Sequence, residues 1–430
     1  MDAKMQTARR LFFVCVKMRQ DLKKLFTKHL FCCKISIKAQ IPYDSAGLYI
    51  SWRTHMCKKS IVFLRSNPVD PDSRVEKEVN SLLKAGHRIT ILAWDREKTY
   101  SPAANRIKLE NGSADIVRIG IAAEFGGGIK KNAVPLLRFQ CFLYKWLVNN
   151  SSEYDVIHAC DFDTAFAGSR AAKRCKKKLV YDIFDYYVDS FNVPGIFRGV
   201  IEGMDHKIIN SADAVIICNE QRREQIRGTA PHELTVIHNS PAKTELHRVS
   251  VPDSFVKIAY VGILQETRFL KEIAEIVSQR SDCELHIGGF GMLDEYFKEM
   301  SEHYENIIYY GRLKYSDTLK LEAECDIMTA VYDPRIRNHY YAASNKFYEA
   351  LMLGKPIIMA KNTGMSDIVE KYDIGVCMEY TKKGFSGALD ELIRRRNEWT
   401  GISERMKRLY ESSYSWETME KRLVCLYDKM

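Results

Sequence analysis

Between Ser344 and Pro356 the chain reads Ser-Asn-Lys-Phe-Tyr-Glu-Ala-Leu-Met-Leu-Gly-Lys-Pro, a run whose residue types and spacing could do chemistry. Ser344 suits an N-cap, Gly354 a C-terminal stop and Pro356 the opening of a buried strand, so a short helix is expected between them. The first turn of such a helix offers backbone N–H groups without internal partners and the positive end of the helix dipole. That combination suits a pyrophosphate. Glu349 falls one turn further in, where its carboxylate could accept hydrogen bonds from a pair of ribose hydroxyls. A glutamate on an amphipathic helix is more often simply solvated, so the run needs support from the rest of the chain.

That support starts with the elements that must position it. From Lys59 onward, short β-rich runs alternate with amphipathic helices. Strands are expected at Ser60–Leu64, His87–Ala93, Val156–His158, Lys178–Tyr181 and Ala214–Cys218, with a helix from about Ser73 to Ala85. Turn-rich sequence at 239–254 interrupts the pattern, which then restarts. Further strands are expected at Val256–Val261, Glu284–Gly288, Ile307–Tyr309, Ile327–Val331 and Pro356–Met359. Such alternation implies parallel, doubly wound sheets. The fold expected is α/β, with Rossmann-like domains at 58–245 and 255–385 facing across a cleft, and C-terminal helices at 386–430 crossing back to the first domain. In such sheets ligands sit outside the carboxyl ends of the strands.

Composition narrows the class. A chain of 430 residues with 46% hydrophobic and 28% charged residues is ordinary for a soluble two-domain protein. Its twelve cysteines contain no CxxC pair, which argues against a zinc site or disulfide framework and for a reducing, cytoplasmic compartment. No apolar run reaches the ~20 residues needed to span a bilayer. Residues 1–57 carry eleven Lys/Arg against three Asp, a net +8 of the chain's +10, which leaves +2 for 58–430. The folded body therefore has no charge support for binding nucleic acid. The leader reads as a basic amphipathic helix that could lie on the inner face of an anionic membrane. It equally suits packing on the body, or sequence upstream of a true start at Met56.

The run Asn345–Pro356 closely resembles the nucleotide-sugar motif of the retaining glycosyltransferase family four, the GT-B-fold "group 1" transferases, in its Asn-Lys-Phe-Tyr-Glu form. Supporting pieces follow in order over 59–430: Asp72 to Glu76, Asp155 to Asp161, Tyr260-Val261-Gly262, Gly288 to Gly291, Tyr310-Gly311-Arg312, Asn362-Thr363-Gly364 and Gly375-Val376. The resemblance implies that Glu349 holds the ribose. It also implies that Ser344, Asn345 and Lys346 face the phosphates, with Gly262 and Gly289 beside the nucleotide, and that Arg268 neutralises the leaving diphosphate. The chain departs from the family at Ile263, where a first basic residue is usual, and at Tyr341, where a second glutamate usually contacts the transferred sugar. The family's active-site histidine aligns with Cys160, which leaves His158, Asp161 and Asp163 as alternatives for touching the sugar. Arg74 and Lys130-Lys131 could attract an anionic acceptor or the phosphates, and Gly126-Gly127-Gly128 suggests a mobile acceptor loop.

The implied activity moves a sugar from a nucleotide-sugar, expected to be a UDP- or GDP-sugar, to a polysaccharide or lipid-linked acceptor with retention of configuration. It needs neither a metal nor a separate cofactor. Alternatives are a catalytically inactive GT-B binding or scaffold protein and a GT-B sugar-nucleotide epimerase. An NAD oxidoreductase is disfavoured because Gly289-Phe-Gly291-Met-Leu-Asp294 lacks the third glycine of its fingerprint.

Overall fold

The computed structural model describes residues 58–101, 105–124, 128–191, 193, 195–246 and 255–430, and the side chains of 128–130 are not included. The leader, Gly126-Gly127 and the Lys130 side chain lie outside the described residues. No helix among the described residues is long and apolar enough to cross a membrane.

The first sheet contains β1 (Ser60–Arg65), β2 (Arg88–Asp95), β3 (Arg106–Leu109), β4 (Gly112–Gly120), β5 (Val156–Cys160), β6 (Lys178–Ile183), β7 (Ala214–Ile217) and β8 (Leu234–Val236). Its order is β3-β4-β2-β1-β5-β6-β7-β8, parallel except for the antiparallel β3–β4 edge. The second sheet contains β9 (Val256–Leu264), β10 (Cys283–Gly291), β11 (Ile307–Tyr309), β12 (Ile327–Ala330), β13 (Ile357–Ala360) and β14 (Gly375–Met378). It runs β11-β10-β9-β12-β13-β14, all parallel. Chain order reverses at β1/β5 in one sheet and at β9/β12 in the other, and a crevice opens at such points. The architecture is the expected GT-B-like α/β fold. Three strand regions went unread: β3 and β4, whose charged, half-exposed residues look like loop; β8, which is three residues long; and β14.

Central strands such as β5, buried at every position, need apolar cover on both faces. Separate apolar clusters supply it on each side of each sheet. The terminal helix Trp416–Asp428 contributes Trp416, Met419, Leu423, Leu426 and Tyr427 to the cover of the first sheet, although the helix before it, Trp399–Leu409, packs on the second. A π-helical turn at Tyr410–Tyr414 joins the two and redirects the chain. Trp416 Nε1 then donates to Ser81 Oγ at 3.1 Å on the helix Ser73–Lys84.

Candidate functional site

The helix Asn345–Leu353 begins where β12 and its following loop deliver it to the crevice. It ends at Gly354, which takes the left-handed conformation (φ 68°) that favours glycine. A Cβ there would also stand 2.2 Å from Ser403 Oγ, so Gly354 lets the helix Trp399–Leu409 approach. Ser344 occupies the cap position in extended backbone, but its hydroxyl makes no cap bond. Ser344 Oγ lies instead 2.8 Å from Tyr332 Oη. The N–H of Phe347 donates to the Ser344 carbonyl at 3.1 Å, which leaves those of Asn345 and Lys346, both lining the crevice, without an intrahelical partner.

Opposite them, β9 and β10 approach so closely that a Cβ on Gly289 would fall 1.8 Å from the Gly262 carbonyl oxygen. Gly262 in turn faces Lys346, whose Nζ would stand 2.5 Å from a Cβ added there. Lys346 is buried and its ammonium lies 4.6 Å from the Tyr260 ring centroid. Arg268, just past β9, stacks its guanidinium 3.7 Å over the Tyr332 ring. One of its nitrogens, Nη1, is buried with no hydrogen-bond partner among the described residues. Glu349 is buried deeper in the same cleft. Burial pushes its carboxyl above the ordinary 4.5, against the pull of Lys346 and a hydrogen bond from Tyr315. Glu322, fully buried beside it, is pushed up further by its own desolvation and by Glu349.

Apart from Glu322, these residues share one cavity of about 550 Å³ with Arg65, Asp72, Arg74, Asp185, Arg222 and Asn239 of the first domain and Arg312 of the second. Its walls carry six basic side chains and three acidic ones, which favours an anion. The first-domain arginines are already compensated. Arg65 pairs with Asp72 and Asp161 at 2.7 and 2.6 Å, Arg74 with Asp182 at 2.9 Å, and Arg222 with Asp185 at 2.8 Å. Among the described residues, Arg268, Lys346 and Arg312 form no ion pair; Arg312 lies over the Phe290 ring instead. These cations without a close ion pair are on the second-domain wall, and Arg268 and Lys346 stand beside the helix start.

The structure thus brings together Ser344, Asn345, Lys346, Glu349, Gly262, Gly289 and Arg268. It does not bring His158 with them. His158 points into the interior with no exposed surface, stacked on Phe63, its Nδ1 2.7 Å from Tyr427 Oη. Its Nε2 is 3.5 Å from both Glu78 and Asp182, and burial holds the ring's pKa below the ordinary value. The catalytic assignment of His158 is therefore corrected: it belongs to the polar core under Arg74. Asp161 is also displaced from a sugar-contacting role. It sits in a strained conformation (φ 63°), accepting from Phe184 N and Asp185 N at 2.9 and 3.2 Å as well as from Arg65, so it braces the Arg65 guanidinium. Asp163 is buried, Ile263 is exposed, and Lys131 pairs with Glu124 at the surface. Tyr341 is not among the cleft residues; its carbonyl accepts from Asn219 and its hydroxyl reaches toward Glu224.

Sequence reading passed over Arg65 and Arg222. Nothing in their local sequence distinguishes them; only the strand order carries β1 and β7 to one edge. Glu78, His158 and Asp182 are the one metal-type ligand trio found among the described residues. The Arg74 guanidinium already provides the cation there, at 3.2 Å from Glu78 as well as against Asp182, so the trio is assigned no metal.

Comparison with known proteins agrees with this fold. Residues 256–395, the second domain, match the family described as glycosyl transferases group 1. An uncharacterized glycosyltransferase of Methanocaldococcus jannaschii is 21% identical over 309 residues, 64% of this chain and 75% of the relative. Sucrose-phosphate synthase from Thermosynechococcus elongatus superposes with a TM-score of 0.69 at 13% identity, over 86% of this chain and 99% of that one. HepE of Anabaena, solved in complex with UDP, superposes at 0.66 with 15% identity, over 86% and 100%.

Glu349 also sets an expected pH dependence. If Glu349 holds the ribose, as the resemblance implies, its anion accepts from the two hydroxyls more strongly than the neutral acid, and its raised pKa brings protonation into competition at higher pH than for a free carboxyl. Nucleoside-diphosphate affinity should therefore fall as pH drops toward and below that raised value. Glu349→Gln should weaken binding about 10- to 100-fold at neutral pH and flatten the pH profile, as measured by titration calorimetry. An unchanged Kd would remove Glu349 from the site.

Proposed function

We propose that the chain is a glycosyltransferase that takes a sugar from a nucleoside-diphosphate donor bound on the second-domain wall. The observation that carries this reading is the clustering of Arg268 and Lys346, which form no ion pair among the described residues, beside the start of the helix Asn345–Leu353. The group 1 match over that same domain supports it. The UDP held by HepE supports a uridine nucleotide as the first donor to try, with GDP-sugars next.

As the sugar–phosphate bond breaks, negative charge grows on the diphosphate and positive charge on the anomeric carbon. Arg268, Lys346 and the helix N–H groups are fixed where the first charge develops, which is how preorganised donors lower a barrier. The acceptor hydroxyl oxygen forms the new bond to the anomeric carbon, and its proton passes to the departing phosphate oxygen. With the acceptor on the leaving-group face, configuration is retained. The acceptor, a glycan or lipid-linked sugar, would enter past the first-domain wall, where Arg65, Arg74 and Arg222 are held rigid by their carboxylates. Asp163 and Asp161 would then act at a distance through that wall.

Thermal unfolding with UDP, GDP, ADP, dTDP and CMP tests the reading first. A nucleotide at 100 times its Kd should stabilise by about 2.7 kcal/mol. Donor turnover with and without acceptor follows. A product formed only with acceptor supports transfer, and an epimerised nucleotide-sugar formed without one supports an epimerase. Stabilisation by a nucleotide without turnover of any donor would indicate a binding protein.

A further inference from the structure

Three consecutive crossover helices, Gly128–Asn149, Phe162–Cys175 and Gly195–Ser211, cover one face of the first sheet, away from the terminal helix. Because each follows a strand of the parallel sheet, their amino ends lie along the same edge as the cleft. The first and third of these helices carry exposed apolar side chains in their amino-terminal halves. Ile196 is 80% exposed, Val200 60% and Val134 60%, with Phe197 and Leu137 also open. At 3.6 residues per turn, Ile196, Phe197 and Val200 share a stripe with Met204, Lys207 and Ser211. Further along that stripe a groove of about 660 Å³ opens between the second and third of these helices, lined by Arg170, Lys173, Lys176, Lys177 and Lys207. The acid on its wall, Asp213, already pairs with Lys178 at 2.7 Å. From Ser169 to Lys178 the sequence has six basic residues and no acidic one, in a body whose net charge is otherwise close to neutral.

We propose that this face of the first domain docks on an anionic lipid bilayer, with the apolar helix ends inserted at the interface and the basic groove against lipid headgroups. A soluble polyanion would account for the lysines but leave exposed Ile196 and Val200 without a role. A protein partner would not require a stretch of uniform charge. An interfacial helix, by contrast, combines an apolar stripe with Lys and Arg on its flanks. Juxtamembrane basic residues add attraction that fades within a Debye length. The placement also puts the cleft mouth beside the membrane, where a lipid-linked acceptor would be presented. The surface itself does not depend on the sugar-transfer reading.

The test is co-sedimentation of the full chain with vesicles of phosphatidylcholine alone or mixed with phosphatidylglycerol. Binding should require phosphatidylglycerol and weaken at least tenfold on raising salt from about 0.1 to about 0.5 M. Lys173→Glu/Lys177→Glu and, separately, Ile196→Ser/Val200→Ser should each reduce it at least tenfold while leaving thermal stability and nucleotide binding unchanged. Full binding by both variants would place any membrane contact in the leader and overturn the proposal. So would retention on heparin without vesicle binding, or a dimer dissolved by Ile196→Ser/Val200→Ser in a chain that ignores vesicles.

Discussion

Arg268→Ala should lower kcat about a hundred- to a thousandfold, the loss typical of removing one preorganised donor to developing charge. The side chain lies over Tyr332 with one nitrogen buried and unpartnered, and it forms no ion pair among the described residues. Stability should stay within about 1 kcal/mol of wild type, which separates a chemical role from a structural one. Arg268→Lys should recover only part of the rate, because an ammonium cannot bind a diphosphate through two parallel hydrogen bonds. Lys346→Met should give a comparable loss. The double variant should be much less than multiplicative, since both side chains act on one leaving group. A kcat within threefold of wild type for Arg268→Ala would show that the diphosphate departs elsewhere.

The largest structural effect is expected from Arg74→Ala. Arg74 is 3% exposed, donates to both oxygens of Asp182 at 2.9 and 3.1 Å and to the Ile237 carbonyl at 2.8 Å, and lies 3.2 Å from Glu78. Its removal leaves two buried carboxyls with no cation, and breaking a buried pair in this way costs about 3–5 kcal/mol. The loss should depend on pH in a defined direction. In the wild type Arg74 holds Asp182 below its ordinary 3.8, so this pair stabilises above that pH and is lost on acidification. In the variant burial raises the Asp182 pKa instead, so the folded state gains a proton and the stability gap to wild type narrows toward acid. Denaturant unfolding at several pH values measures this. A deficit below about 1 kcal/mol, or one that grows toward acid, would contradict the assignment.

The helix opening at Asn345 and its stop at Gly354 were legible because caps, glycine and proline act locally. Arg268 was pointed to by the family resemblance, and it lines the same cavity. His158 was misread because β5 is buried at all five positions, and an all-buried strand does not reveal which face looks toward a ligand. What decides it is Tyr427, 269 residues away, whose hydroxyl meets the imidazole only once the terminal helix has crossed back. Arg65 and Asp161 illustrate the same limit. Each is unremarkable locally, and their 2.6 Å pairing exists because β1 and β5 are neighbours in the sheet. The Ser344 hydroxyl was expected to cap its helix but turns to Tyr332, a preference set by a loop residue twelve positions earlier.

The most direct measurement is a crystal structure of the chain soaked with UDP or with whichever nucleoside diphosphate stabilises it most. The diphosphate should lie against the amino end of the helix Asn345–Leu353, between Arg268 and Lys346, with both ribose hydroxyls on Glu349. Density for the nucleotide on the first-domain wall among Arg65, Arg74 and Arg222, or a ribose out of reach of Glu349, would contradict the account.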